Sequence, residues 1–250
     1  MALIDNLVSY WKMDETSDGS GAVTRVDSHG NNDLTDNNNI ASGTGIINNG
    51  ADLESGSSEY LSITDAAQTG LDFATDFSFS MWIKPESVPG ANSYFYLINK
   101  GFEAGVDRQY AFIYETFGGS FWDLNISFNG SASASVLHQS HTPSAGTWYH
   151  MVVSYDASAG TADFWINGTA QTQGTGGPTS IHNGDDDLFI GRGETLYYDG
   201  LIDEFGMWSR TLTSDEVAEL YNGGAGLSYD DFGGGATVFP QPTLLTLGVG

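Results

Sequence analysis

The chain has no cysteine, so its candidate reactive groups are carboxylates, hydroxyls and imidazoles. Thiolate nucleophiles and disulfides are excluded. Retaining cleavage of a glycosidic bond needs two carboxyl groups about 5–5.5 Å apart, which on a strand means acids alternating along one face. Neither Glu-x-Asp-x-x-Glu nor Glu-x-Asp-x-Glu occurs. Asp203 and Glu204 are adjacent, so they are expected on opposite faces of their strand and not as such a pair. There is no Gly-x-Ser-x-Gly elbow, no P-loop and no Gly-x-Gly-x-x-Gly turn, and Gly191-Arg192-Gly193 reads as a simple turn. The chain therefore reads as a non-enzyme, and binding is what remains. Tyrosine offers a flat apolar face with a polar tip. Tyr197, Tyr198 and Asp199, two such rings beside a carboxylate in a loop, are the candidate ligand-binding residues for a glycan. Tyr94, Phe95, Tyr96, Phe117 and Trp122 are further aromatics that could line such a site.

The charge balance narrows the partners. Seven Lys+Arg stand against 32 Asp+Glu, a formal net charge of −25 in 250 residues. Such a surface repels nucleic acid and anionic membranes and attracts cations. It reads either as a solvated surface or as carboxylates converging on Ca²⁺, and both can hold together. Asp185-Asp186-Asp187 reads as a solvated turn before it reads as an ion site. No apolar run is long enough to span a bilayer. Met1-Ala-Leu-Ile-Asp-Asn has no basic or apolar signal region, so no signal peptide is expected there.

The elements that must position these residues are strands. Phe77, Phe79, Met81 and Ile83 alternate with Ser78, Ser80 and Trp82, and Trp122, Leu124, Ile126 and Phe128 alternate with Asp123, Asn125 and Ser127. Further runs cover 7–13, 59–63, 94–99, 109–115, 131–138, 148–155, 161–166, 188–191 and 201–208, giving about a dozen strands at sandwich spacing. Residues 14–50 read as loop, rich in Asp, Asn, Ser and Gly. Thr213 as N-cap, Asp215 and Glu216 in the first turn, an apolar Val217, Leu220 and Tyr221, and a stop at Asn222-Gly223-Gly224 predict one short helix. Trp82, Trp148, Trp165 and His150 are expected in the core.

In order along the chain, several segments resemble one family. They are Val8-Ser9-Tyr10-Trp11-Lys12-Met13-Asp14-Glu15, Val26-Asp27-Ser28-His29-Gly30-Asn31-Asn32-Asp33-Leu34, Asn49 to Leu53 with Tyr60 to Ile63, and Phe77 to Lys84. Gly146 to Asp156, Phe164 to Gly168 and Tyr198 to Trp208 with Leu212 to Val217 complete the set. Over about residues 5–224 the chain is similar to the laminin-G-like jelly-roll family of the concanavalin A-type lectin and glucanase superfamily. The resemblance implies an all-β, two-sheet antiparallel jelly-roll β-sandwich with one short C-terminal helix. It also implies a Ca²⁺ site where an early loop meets the closing strand, which places the candidate metal ligands at Asp27, Asn32 and Asp203. The alternative is that Asp27 forms a turn and Asp203 caps a loop.

The domain is expected over 1–225, followed by a Gly-rich, apolar arm over 226–250. Val238, Phe239, Leu244, Leu245 and Leu247 are its candidate partner-binding residues, either strapped on their own sandwich or docked on a neighbouring chain. The favoured expectation is a structural, decoration or adhesion component of a large assembly, such as a virion capsid or tail. It would have other protein subunits or its own copies as partners, and a virion or extracellular surface as its location. The alternative is a carbohydrate-binding module, with or without Ca²⁺, and a glycan-active enzyme is the third and least favoured reading. Neither nucleic-acid binding nor membrane insertion is expected.

Overall fold

β-Branched and aromatic residues alternating with small polar ones favour extended chain, and the chain is extended where that alternation is cleanest. The computed structural model describes residues 1–102 and 107–233. In chain order its strands are β1 (Leu7–Trp11), β2 (Thr35–Asn37), β3 (Ala41–Thr44), β4 (Asn49–Leu53), β5 (Tyr60–Ile63) and β6 (Phe77–Pro85). Next come β7 (Tyr94–Lys100), β8 (Arg108–Glu115), β9 (Phe121–Gly130), β10 (Ser133–Ser140), β11 (Tyr149–Asp156) and β12 (Thr161–Ile166). The last are β13 (Thr169–Ala170), β14 (Gly174–Thr175), β15 (Leu188–Ile190), β16 (Arg192–Gly193), β17 (Leu196–Tyr197) and β18 (Gly200–Trp208). Helix α1 (Ser214–Tyr221) follows.

Two antiparallel sheets face each other. One runs β13-β12-β11-β6-β18-β4-β3, with β1 also on β18 and β14 also on β12. The other runs β10-β9-β8-β7-β15-β5-β2. The last strand thus lies in the middle of its sheet, with Ile202 opposite Ile83 on one side and Ala51 on the other. Phe77, Phe79, Met81 and Ile83 point inward and are almost fully buried. They meet the facing sheet through ring contacts such as Phe79 with Phe112 at 5.0 Å. Each such side chain contributes about 1.5–3 kcal/mol by leaving water.

The other face of β6 is buried too, because α1 and the segment before it cover the first sheet. The Leu212 N–H donates to Ser78 Oγ at 3.0 Å and to Ser154 Oγ at 2.7 Å. Burial pushes His150 down to about 3, so the ring is neutral, with Nε2 at 2.8 Å from Ser80 Oγ. His150 and Trp82 stack beneath Tyr221 of the helix. These two and Trp165 are in the interior, as expected, whereas Trp148 is half-buried with Lys84 Nζ 5.8 Å above its ring. The helix starts as its sequence dictates: Thr213 and Glu216 form a reciprocal capping box. Arg210 grips Glu216 at 2.7 and 3.0 Å and also donates to the carbonyls of Ala2 and Asp5.

Two readings are corrected. Residues 14–50 hold β2, β3 and the first two residues of β4, which owe their extended form to pairing with neighbouring strands, not to their own composition. Residues 226–233 belong to the folded body, because Phe232 is buried against Tyr10 and Trp208 and Tyr229 stacks on Tyr10 at 5.2 Å. The arm residues Val238, Phe239, Leu244, Leu245 and Leu247 lie outside the described residues.

Candidate functional site

Strand alternation sorts the second sheet into two faces. Phe95 and Leu97 of β7, Phe112 and Tyr114 of β8, and Trp122 and Leu124 of β9 enter the core. Their neighbours therefore face outward in rows set by the register. One row is Tyr94, Glu115, Phe121 and Ser140, and the next is Tyr96, Ile113, Asp123 and His138. The hairpin of β16 and β17 lies against this face. Gly193 permits the approach, since a Cβ there would fall 1.8 Å from the ring of Tyr96. The Tyr94 hydroxyl donates to the Glu194 carboxylate at 3.0 Å and ties the hairpin tip to β7.

At the edge of this face lies a cleft of about 270 Å³. It is lined by Ser87, Pro89 and Ser93 from the loop before β7, by Tyr94, by Thr195 and Tyr197 of the hairpin, and by Ser55 and Asp199, among others. No cationic side chain lines it among the described residues. Tyr94 and Tyr197 are half-buried. Asp199 Oδ1 accepts from the Ser55 amide at 3.1 Å and the Ser55 hydroxyl at 3.0 Å. Burial opposes its charge, but the hydroxyl of Ser87 and the two groups of Ser55 outweigh that and hold its carboxyl below the usual range. The cleft thus combines aromatic walls, several hydroxyls and one stably ionised acceptor, which is the composition of a small polar-ligand site.

Two of the three ligand-binding residues read from sequence line this cleft, and one does not. Tyr198 is a correction: it is fully buried, packs on Phe95 at 5.1 Å and donates to the Leu201 carbonyl. Between outward neighbours, the middle residue of an extended stretch turns to the core. Tyr94 belongs to the further aromatics that the sequence offers for such a site, and Ser55, Ser87, Ser93 and Thr195 carry no sequence signal.

The structure joins two of the metal candidates and separates the third. Asp27 Oδ1 accepts the amides of Tyr10, His29 and Gly30 at 2.9, 3.0 and 2.9 Å, and Oδ2 accepts that of Asn32 at 3.0 Å. The Asn32 side chain bonds Ser9 and both backbone groups of Thr69. Asp203 lies with a different loop, its Oδ2 accepting the amides of Ile46 and Ile47 at 2.7 and 3.1 Å. Burial pushes the Asp203 carboxyl up to about 7 and that of Glu204 up to about 8. Glu204 faces away to the Tyr10 hydroxyl at 2.6 Å, so the adjacent acids serve separate partners. Asp187 of the acidic run accepts the amide of the distant Asp65 at 3.0 Å, and the Asp186 carbonyl accepts from Lys100 Nζ at 2.7 Å, so the run ties two loops together and does not form a local turn. Among the described residues, two other groups bring three ligand-type side chains within 4.8 Å: Asp52, Glu54 and Glu86 near the cleft, and Glu115, Asp123 and His138 on the outer face.

Comparison with known proteins agrees with this architecture. A laminin-G-type family model described as the concanavalin A-like lectin/glucanases superfamily matches residues 55–218. No curated protein sequence matches the chain. Among solved structures, domain 4 of AbnA, a GH43 extracellular arabinanase from Geobacillus stearothermophilus solved with arabinotriose, superposes with a TM-score of 0.62 at 20% identity. That match covers 89% of this chain and 98% of the domain. The ligand-binding domain of botulinum neurotoxin serotype D, in complex with N-acetylneuraminic acid, gives 0.64 at 16% identity, covering 88% of this chain and 51% of that one. A structure of botulinum neurotoxin type C, whose cell entry depends on two ganglioside molecules, gives 0.66 at 14%, with 88% and 51% covered. The chain thus spans about half the length of these toxin chains.

Proposed function

Because the chain belongs to the concanavalin A-like lectin/glucanase superfamily, we propose that it is a carbohydrate-binding module that holds a neutral oligosaccharide in the cleft of Tyr94, Tyr197 and Asp199. The observation that carries this reading is the cleft itself, where two half-buried tyrosines flank hydroxyls and one ionised carboxylate. Tyrosine faces pack on the apolar faces of a sugar ring, and Asp199 accepts its hydroxyl hydrogens in charge-assisted bonds. Among the described residues one carboxylate lines the cleft, whereas glycoside hydrolysis uses two, which favours binding over cleavage. Of the similar structures, one was solved with a neutral trisaccharide and another with an acidic sugar. The net charge of −25 and Asp199 in the lining favour the neutral class for this chain.

The test is calorimetric titration of the full chain with neutral arabino- and gluco-oligosaccharides and with sialyllactose, repeated for Tyr94→Ala and Tyr197→Ala. A neutral oligosaccharide binds, and each substitution weakens it about ten-fold, a loss of ~1.4 kcal/mol. Preference for sialyllactose, or neutral binding untouched by both substitutions, overturns the assignment. A role in assembly through Val238 to Leu247 is a separate proposal, tested by truncation after Gly233 and measurement of oligomeric state; an unchanged state removes it.

A further inference from the structure

We propose that Glu115, Asp123 and His138 bind a divalent transition-metal ion of the Zn²⁺ class on the outer face of the second sheet. The three residues come from β8, β9 and β10, which are adjacent in that sheet. Asp123 and His138 are direct register partners, and Glu115 stands two register positions away, in the next outward row. All three belong to the outward rows. Their ligand atoms lie within 4.8 Å of one another, and His138 Nδ1 is 2.7 Å from Asp123 Oδ1.

A second observation points to an ion. Asp123 is only 4% exposed, yet its Oδ2 has no hydrogen-bond partner. Its Oδ1 already takes both His138 and the Ser135 hydroxyl. A buried carboxylate oxygen left without a partner is costly, and such atoms are uncommon in folded proteins. Phe121 stacks on the His138 ring at 3.9 Å and fixes the plane of the imidazole.

The donor set selects the metal. One imidazole nitrogen and two carboxylates, with an open side toward solvent, match a three-ligand tetrahedral ion completed by water. Ca²⁺ prefers six to eight oxygens, so imidazole argues against it. Tetrahedral ligands at about 2.0–2.1 Å sit roughly 3.3 Å apart. The Asp123–His138 edge needs to open slightly and Glu115 to swing in by no more than about 1.5 Å, which a half-buried side chain achieves by changing rotamer. This site is separate from the cleft, although Glu115 is the register partner of Tyr94.

The experiment titrates the metal-stripped full chain with ZnCl₂ by calorimetry and with CoCl₂ by visible absorption. One ion binds per chain, with the intense cobalt band of tetrahedral coordination. His138→Ala and Glu115→Gln each weaken Zn²⁺ binding at least ~10-fold, since losing a direct ligand exceeds the usual effect of losing its support. His138 is half-exposed, so that variant keeps its fold, checked by melting, and Zn²⁺ raises the melting temperature of the parent but not of the variant. His29→Ala leaves Zn²⁺ affinity unchanged. Absence of saturable binding, affinity in both ligand variants equal to that of the parent, or displacement of Zn²⁺ by equimolar Ca²⁺ would overturn the proposal.

Discussion

Replacing Asp27 by Asn separates a carboxylate that holds a loop from one that holds an ion. In the structure Asp27 is 6% exposed and accepts four backbone N–H groups, three on Oδ1 and one on Oδ2. With Oδ1 retained as the amide oxygen, three of these bonds persist but lose their charge assistance, at about 1 kcal/mol each. The new NH₂ meets the Asn32 amide donor to donor and leaves it unsatisfied, costing a further ~1–3 kcal/mol. Allowing for non-additivity among neighbours, the loss is about 4 kcal/mol. In a domain of this size that is a fall of roughly 8–16 °C in melting temperature. Calorimetric melts of parent and variant, each in EDTA and in millimolar CaCl₂, read it out. The loss is the same in both buffers if the backbone amides are what the carboxylate serves. A change under about 1 kcal/mol refutes the reasoning, as does a parent that falls to the level of the variant once calcium is removed.

Other outcomes follow from features already described. Asp203 and Glu204 are raised from ordinary carboxylate values to about 7 and about 8, chiefly by burial. Their neutral forms suit the fold, so the stability they contribute is complete below about pH 4 and is lost as pH rises through 7 and 8. Melting temperature falls between pH 5.5 and 9, and Glu204→Gln, which keeps an acceptor for the Tyr10 hydroxyl, flattens that slope; an unchanged slope contradicts the assignment. Arg210→Ala leaves the buried Glu216 without its cation and costs about 3–5 kcal/mol in a denaturant titration. Truncation after Gly224 removes Phe232 from its pocket and destabilises the domain by about 3 kcal/mol relative to truncation after Gly233, read by denaturant titration of the two truncated chains.

An element is legible in the sequence where a single strand or helix carries its own pattern. The serine–hydrophobe alternation of β6 and the capping box of α1 need no knowledge of neighbours, and both were legible. The strands β2 and β3 are not, because Thr35-Asp36-Asn37 and Ala41 to Thr44 have turn-forming composition and become strands only by pairing. The site divides in the same way. Tyr197 and Asp199 stand out as an aromatic and an acid in a loop, but which of three consecutive residues turns inward is decided by packing, and Tyr198 went to the core. Glu115, Asp123 and His138 come from three strands with no common spacing. Only the register assembles them, although the alternation in β9 already placed Asp123 on the face opposite Trp122.

The position of β18 also sets the timetable of synthesis. Its two neighbours, β6 and β4, are complete by residue 85, but the strand that belongs between them ends at Trp208. At roughly 5–20 residues per second, the ribosome delivers it some 6–25 s later. Throughout that interval the apolar Phe77–Ile83 stretch has an open edge, of the kind that recruits other nascent chains. Chaperone occupancy on stalled nascent chains should therefore persist in chains stopped before Gly200 and drop once β18 has cleared the exit tunnel.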